Sequence, residues 1–208
     1  MTILKFQIFY NGQETYDNHL ITYDDEQDKW SITKTTFCTG ILGNFWPHKK
    51  IRTNQQNLEL KTKIYGVEYT FSSSEVAFQA AKCKNPEDII AFTKKDLHAG
   101  DSFRMGRRVQ LIDNWDSIKV DVMIDILLCK FTQYQDLQQV LLSTDDAFLI
   151  EHTPVKNRDK FWADDCDGTG SNNLGYSLMT VREKIGGRKP NPRCVMMLKQ
   201  LYEIIQTM

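Results

Sequence analysis

With 208 residues and 41% hydrophobic side chains, the chain carries enough apolar material for one sizeable core, as a single domain or a domain with an elaborated edge. A formal net charge of −1 excludes a global pull toward nucleic acid or an anionic membrane, so any polyanion must be met by a local basic cluster. No apolar run is long enough for a membrane span, and Met1-Thr2-Ile3-Leu4-Lys5-Phe6-Gln7 lacks the apolar stretch of a secretory signal, which together predict a soluble cytoplasmic protein with no membrane partner.

In chain order, residues 3–37 read as β-rich. Leu4 to Tyr10 alternates, Asn11-Gly12 is a turn signal, Asp24 to Asp28 is an exposed turn, and Trp30 to Phe37 is strand-like. A hairpin is predicted from Leu60 to Tyr65, Gly66, and Val67 to Phe71. The chain then turns mostly helical. Ser72 and Glu75 have the S-x-x-E spacing of a capping box, and Val76, Ala77, Ala80 and Ala81 supply packing positions behind them. From Asp116 to about Phe131, Ile118, Val122 and Ile126 and the pair Met123 and Leu127 recur at i+4, which predicts a central buried helix. Shorter helices are expected over Leu137 to Leu142, Gly175 to Ile185 and Cys194 to Gln206, the last after the breaker-rich Gly186 to Pro192. Early strands followed by helices, without βα alternation, predict an α+β fold.

Cysteine and histidine spacing bounds the chemistry. Cys38, Cys83, Cys129, Cys166 and Cys194 are odd in number and never fall in C-x-x-C spacing, which argues against a disulfide scaffold and a structural zinc site. His19, His48, His98 and His152 show no paired spacing, and His152 reads as ordinary surface beside a strand end. No metal or cofactor is called for.

Four clusters carry candidate chemistry. Phe161 to Gly175 packs three acids (Asp164, Asp165, Asp167), amides, glycines and Trp162 into a loop that reads as outside the core and suited to holding a ligand. With Gly168 as the invariant glycine of an EF-hand, Ala163 and Leu174 fall where carboxylates belong, so the loop is not of that type. On the helix after Ser72, Glu75, Gln79 and Lys82 stand at i, i+4 and i+7, and so share one face. From spacing alone Glu75 is equally a capping acid and Lys82 a solvated surface group. Arg104, Arg107 and Arg108 can clamp phosphate or serve as a solvated helix face. Gly43-Asn44-Phe45-Trp46-Pro47 is an aromatic turn that can stack on a base or sugar, or form a core corner.

The order of these pieces resembles a known family. Ile8-Phe9-Tyr10, Ile41 to Pro47, Ser74 to Lys82, Arg104-Met105-Gly106-Arg107, Trp115 to Lys119, Lys130 to Gln133, Leu149 to Thr153, Phe161 to Asp164 and Asn173-Leu174-Gly175 are similar to the motifs of the NADAR, or YbiA-like, family of small N-glycosidases. The resemblance implies a helix-rich α+β single domain over residues 1–185 with a small β-rich N-terminal portion. Residues 11–39 read as an insertion, and 186–208 as a basic linker and helix packed on the same domain. It also implies hydrolysis of an N-glycosidic bond at a ribose anomeric carbon. The implied substrate is either a phosphorylated ribosyl-aminopyrimidine intermediate of riboflavin synthesis or ADP-ribose attached to arginine or guanine. An ADP-ribosylated protein or nucleic acid would then be the partner.

Carried over by position, Glu75, Asp164 and Lys82 become the catalytic candidates. Asn44, Phe45, Gly43, Gln79, Arg104, Arg107, Trp162 and Asn173 become the substrate-binding ones. Two positions depart from the family: Gly43 stands where a serine is common and Ala163 where a glycine is common. An oxocarbenium-like transition state calls for a nearby carboxylate, assigned first to Glu75 with Asp164 as its partner. Lys82 and Arg104 would hold phosphate, while Trp162 and Phe45 would enclose ribose or base. The competing class is an ADP-ribose-binding module without turnover, which has no need of the two acids.

Overall fold

The computed structural model describes residues 2–10, 18–35, 40–46 and 59–207. The chain divides into two compact units, Met1–Gly43 with Gln138–Met208 and Asn44–Leu137. The expected Asn11-Gly12 turn and Pro47 fall outside the described residues.

The first unit is built on a four-stranded sheet in the order β3-β2-β1-β6, with β1 Ile3–Phe9, β2 Asn18–Asp24, β3 Lys29–Thr35 and β6 Phe148–Glu151. β1 pairs antiparallel with β2 and parallel with β6, setting Phe6 opposite Phe148 and Ile8 opposite Ile150. Strands buried on both faces need no alternation. All four residues of β6 and the last four of β1 are buried accordingly. The described part of the expected insertion, 18–35, is β2 and β3 with their turn. β1 itself is a core strand whose Leu4, Phe6, Ile8 and Phe9 are at most 1% exposed.

Helix α6 (Asn173–Lys184) packs on β6, and α7 (Arg193–Ile205) on β1. α7 is held by buried Cys194, Leu201 and Tyr202 and by a two-pronged pair, Arg193 Nη1 and Nη2 donating to the Asp25 carboxylate at 2.6 and 2.7 Å.

The second unit opens on a hairpin of β4 (Leu60–Ile64) and β5 (Val67–Phe71). Its two turn residues, Tyr65 and Gly66, both have positive φ, which a two-residue type I′ connection requires. Tyr65 bears that conformation while its hydroxyl donates to the Ala81 carbonyl. Helices α1 (Ser74–Ala81), α2 (Pro86–Phe92), α3 (Ala99–Gly106) and α4 (Trp115–Gln133) follow. α5 (Gln135–Ser143) runs across the point in the chain where the units divide.

The α1 cap corrects the capping-box expectation by one residue. Ser73 is the N-cap and accepts from the Val76 N–H at 3.2 Å, whereas Ser72 turns away and donates to the Leu97 carbonyl. Glu75 is therefore not the acid of a capping box. It stands in the first turn of a helix whose eight residues are all buried.

The buried stripe of α4 is Met123, Ile126, Leu127, Lys130 and Phe131, with Ile118 and Val122 only half-buried. Lys130 Nζ lies 5.8 Å from the Trp46 ring centre and 5.1 Å from that of Phe131. Full burial drives its pKa from 10.5 down to about 7. Between those values the unfolded chain holds a proton that the native state has released, so native stability rises with pH across that window. Below pH 7 both states are protonated and the cost of the buried ammonium is fully present. Relative to Lys130→Met, the wild type is expected to gain up to about 1.4 kcal/mol per pH unit from pH 7 to 9 in urea unfolding. Parallel profiles for the two proteins would show that Lys130 keeps its charge in the native state.

Candidate active site

The candidate residues fall into two clusters, one in each unit. In the second unit Glu75 is 5% exposed, and its Oε1 accepts from Gln79 Nε2 at 2.7 Å one helical turn later. The Glu75 N–H donates to the Asn44 carbonyl at 3.0 Å, and Ser74 Oγ points to the same oxygen at 3.4 Å, so the aromatic turn is stitched to the first turn of α1. Asn44 Nδ2 donates to Met123 Sδ at 3.2 Å. Gly43 closes its own turn onto the Gly40 carbonyl at 2.9 Å, and Phe45 is half-buried.

Gln79 Oε1 and Asn44 Oδ1 are buried and accept no hydrogen bond among the described residues. The carboxylate of Glu75 requires a donor, which settles the orientation of the Gln79 amide and turns its oxygen toward Gly106 on α3. A buried acceptor without a donor costs about 1–3 kcal/mol. Only Gln79 is bonded to the carboxylate itself; Asn44 meets Glu75 through its backbone carbonyl, with its side chain on Met123.

Lys82, the C-cap of α1, is half-buried. Desolvation lowers its pKa, as does Arg107, while Glu75 and Cys83 oppose the shift. Arg107 also lies over the Phe103 ring at 4.5 Å. Arg104, Arg107 and Arg108 are all exposed; Arg104 pairs with Asp101 on its own helix, and of the three expected phosphate clamps Arg107 is the one that bears electrostatically on Lys82.

Gly106, inside the Arg104-Met105-Gly106-Arg107 motif, faces Gln79 and Lys82. A Cβ there would sit 1.8 Å from Gln79 Oε1 and 2.7 Å from Lys82 Cε. Both are far ends of flexible side chains, so the clash is relieved by moving them and not by unfolding. Gly106→Ala is expected to change Tm by only a few degrees while lowering turnover about a hundred-fold, because a displacement near 1 Å is enough to spoil alignment. Unchanged turnover would show that neither Gln79 nor Lys82 needs its present position.

In the first unit the loop from Phe161 to Asn172 departs from the expectation that it lies outside the core. Ala163, Asp164 and Asp165 are 2%, 1% and 0% exposed. Burial is tolerated because the loop pairs its own backbone: Asn172 N donates to the Ala163 carbonyl, Asn173 N to Phe161, Leu174 N to Trp162, and both Gly168 N and Gly170 N to Asp164. Ala163 is not among the residues at positive φ, which explains how alanine serves where the family commonly has glycine.

Asp164 is the hub. Its Oδ1 accepts from the Thr153 and Cys166 N–H groups at 3.0 and 3.1 Å, and its Oδ2 from His152 Nδ1 at 2.6 Å and the Tyr202 hydroxyl at 3.0 Å. An ionised carboxylate only accepts, so His152 carries its proton on Nδ1 toward Asp164. His152 is 8% exposed, with the Tyr10 ring edge-on at 5.3 Å, and is not the surface residue its spacing suggested.

Trp162 is half-buried, its N–H donating to Asp159 Oδ1 and its ring meeting Phe161 edge-on. Asn173 donates its amide to the Phe161 carbonyl at 2.8 Å. The neighbouring Asn172, left-handed at φ 49, bridges β6 by accepting from Glu151 N at 3.0 Å and donating to the Leu149 carbonyl at 2.9 Å. The other loop acids are met by lysines. Lys156 Nζ lies 3.2 Å from Asp165 and bonds Asp167, whose pKa its ammonium and Thr169 hold down at about 2. Among the described residues no three of His, Cys, Asp and Glu are grouped for a metal ion, and no helix is long and apolar enough to cross a membrane.

Spacing along one chain had no means of finding Tyr202 or the His152–Asp164 pair, since their partners come from distant segments. The one available sign for His152 was its place in the Leu149 to Thr153 motif.

A carboxylate fixed by an amide on a buried helix, and another fixed beside an imidazole, are the equipment of a hydrolase that works on a polar substrate. Residues 30–186 match the NADAR domain, and the chain belongs to the NADAR family. It is 33% identical over 171 residues to the maize riboflavin biosynthesis protein PYRR, a match covering 77% of this chain and 26% of that one, so the chain spans about a quarter of the maize protein. It is 39% identical over 125 residues to the N-glycosidase YbiA of Shigella boydii, covering 58% of this chain and 74% of that one. The NMR structure of Escherichia coli YbiA superposes with a TM-score of 0.58 at 28% identity, covering 88% of this chain and 86% of the other. By class, the chain stands among hydrolases of N-glycosyl bonds.

Proposed function

We propose that the chain hydrolyses the bond between a ribose anomeric carbon and nitrogen in a phosphorylated ribosyl substrate. The observation that carries this is Glu75, a buried carboxylate held by Gln79 in the first turn of a fully buried helix, with the Asn44 turn bonded to its backbone. Such a carboxylate stabilises positive charge as it develops on C1′, and Asn44 Oδ1, buried without a donor among the described residues, can accept a ribose hydroxyl.

In the reaction the C1′–N bond breaks with its electron pair leaving on nitrogen, which takes a proton. Water forms the new C1′–O bond and gives up a proton to a base. Glu75 of the second unit is assigned the charge-stabilising and water-orienting role; Asp164 of the first unit, with the imidazole it holds, is a separate candidate for proton transfer. Lys82 and Arg107 carry the substrate phosphate, while Phe45 and Trp162 supply half-buried rings for ribose or base. Asn173 contributes through the loop it ties down.

The maize relative's name favours a ribosyl-aminopyrimidine phosphate of riboflavin synthesis as the first substrate to try. ADP-ribosyl-arginine peptide and ADP-ribosylated guanine DNA present the same bond. Incubation with each, followed by mass spectrometry of the products, is expected to show ribose 5-phosphate from the first. ADP-ribose from either of the others would move the assignment to that substrate. Binding of ADP-ribose with no release from any of the three would replace the hydrolase with a binding module.

A further inference from the structure

Helix α7 lies beyond residues 30–186, the span that matches the family, yet its Tyr202 reaches into the Asp164 cluster by two independent contacts. The hydroxyl donates at 3.0 Å to Asp164 Oδ2, the oxygen that also receives His152 Nδ1. The ring lies against the acidic loop at Gly168, where a Cβ would come within 2.4 Å of Tyr202 Cδ2 and Cε2. Gly168 has φ +80, so backbone conformation and the tyrosine ring both exclude a side chain there. Tyr202 is 7% exposed. Burial and the Asp164 carboxylate push its pKa upward, which keeps it a donor.

The geometry of Asp164 shows what the hydroxyl adds. Two backbone N–H groups pin Oδ1, but rotation about the terminal carboxylate bond is soft. The plane of the carboxylate, and with it the direction in which His152 is held, depends on the donors at Oδ2. One of these is His152 itself, so the independent restraint is Tyr202.

We propose that Tyr202 is a positioning residue for turnover: α7 holds the Asp164 carboxylate and, through it, the His152 imidazole, so that a helix outside the family domain becomes part of the catalytic apparatus. This rests on the N-glycosidase reading above.

Tyr202→Phe removes the hydroxyl and keeps the ring on Gly168. It is expected to lower kcat about ten-fold, with KM within about two-fold of wild type and Tm lower by a few degrees, the loss of one buried charge-assisted hydrogen bond. In an Asp164→Asn background the same substitution is expected to have no further effect, because residues acting through one another are not additive. Wild-type kcat in Tyr202→Phe would overturn the proposal, whether Tm falls or not, and so would additive losses in the double variant. An active wild type with an unaffected Tyr202→Phe refutes only the role of α7. A wild type that releases product from none of the three substrates refutes the N-glycosidase reading and this role together.

Discussion

Glu75→Gln is expected to lower release of the ribosyl product about a thousand-fold while the protein still folds. The side chain is nearly isosteric, and its remaining oxygen can still accept from Gln79 Nε2, so the 2.7 Å contact that orders α1 survives. What disappears is the negative charge. An amide neither stabilises an oxocarbenium-like centre to the same degree nor takes a proton from water, and the loss of one preorganised electrostatic group is worth about 10²–10³ in kcat before proton transfer is counted. The check is single-turnover release measured by mass spectrometry, beside a thermal melt within a few degrees of wild type. Turnover within ten-fold of wild type would remove Glu75 from the chemistry and leave it as a helix-terminus acid.

Asp164 is expected to behave differently, because it links fold and reaction. Asp164→Ala strands four donors at once: two backbone N–H groups, an imidazole N–H and a buried phenol. Each unpartnered buried donor costs about 1–3 kcal/mol, and relaxation of the loop recovers part of that, so the expected destabilisation is roughly 4 kcal/mol in urea unfolding.

Asp164→Asn separates the two roles. Its oxygen can keep the Thr153 and Cys166 N–H groups, while its amide nitrogen now faces His152 as a donor. The imidazole must then accept at Nδ1 and carry its proton on Nε2, the reverse of its present state. Turnover is expected to fall about a hundred-fold or more with a smaller loss of stability than in the alanine variant. A fully active Asp164→Asn would make the carboxylate a structural hub alone.

How much of this was legible in the residues differs by cluster. The α+β class, the 60–71 hairpin and the bounds of α4 follow from local patterning, and α4 extends only a residue or two past each predicted end. Glu75 and Gln79 share a face because a helix puts i and i+4 together, and sequence spacing reports that directly. Spacing points to Ser72 as the cap where the fold uses Ser73, because three consecutive serines are chemically equal candidates. The choice is made by the tertiary bond from Ser72 to Leu97.

Composition places the acidic loop outside the core, because it counts charges and not backbone pairing. Asp164 and Asp165 are buried because the loop hydrogen-bonds to itself and to the end of β6. Lys130 sits in the apolar stripe of α4 against every hydropathy rule, and Tyr202 meets Asp164 across 38 positions of chain. No periodicity encodes contacts of that kind.

The pairing of β1 with β6 bears on the order in which the protein is made. The second unit, Asn44–Leu137, is a continuous stretch, so all of it has been synthesised before the first unit has its full sheet. β1 can join β2 and β3 early, but its parallel neighbour arrives only when Phe148 to Glu151 emerge, after the whole intervening unit. Contacts between distant segments are slow to close, and until they do the backbone N–H and C=O groups along that edge of β1 are without a partner strand. Asp164 receives its last hydrogen bond later still, from Tyr202. On the ribosome, then, the helix carrying Glu75 can fold well before the loop carrying Asp164 is ready. A released chain ending between residues 138 and 148 would contain the whole second unit and lack β6 of the first.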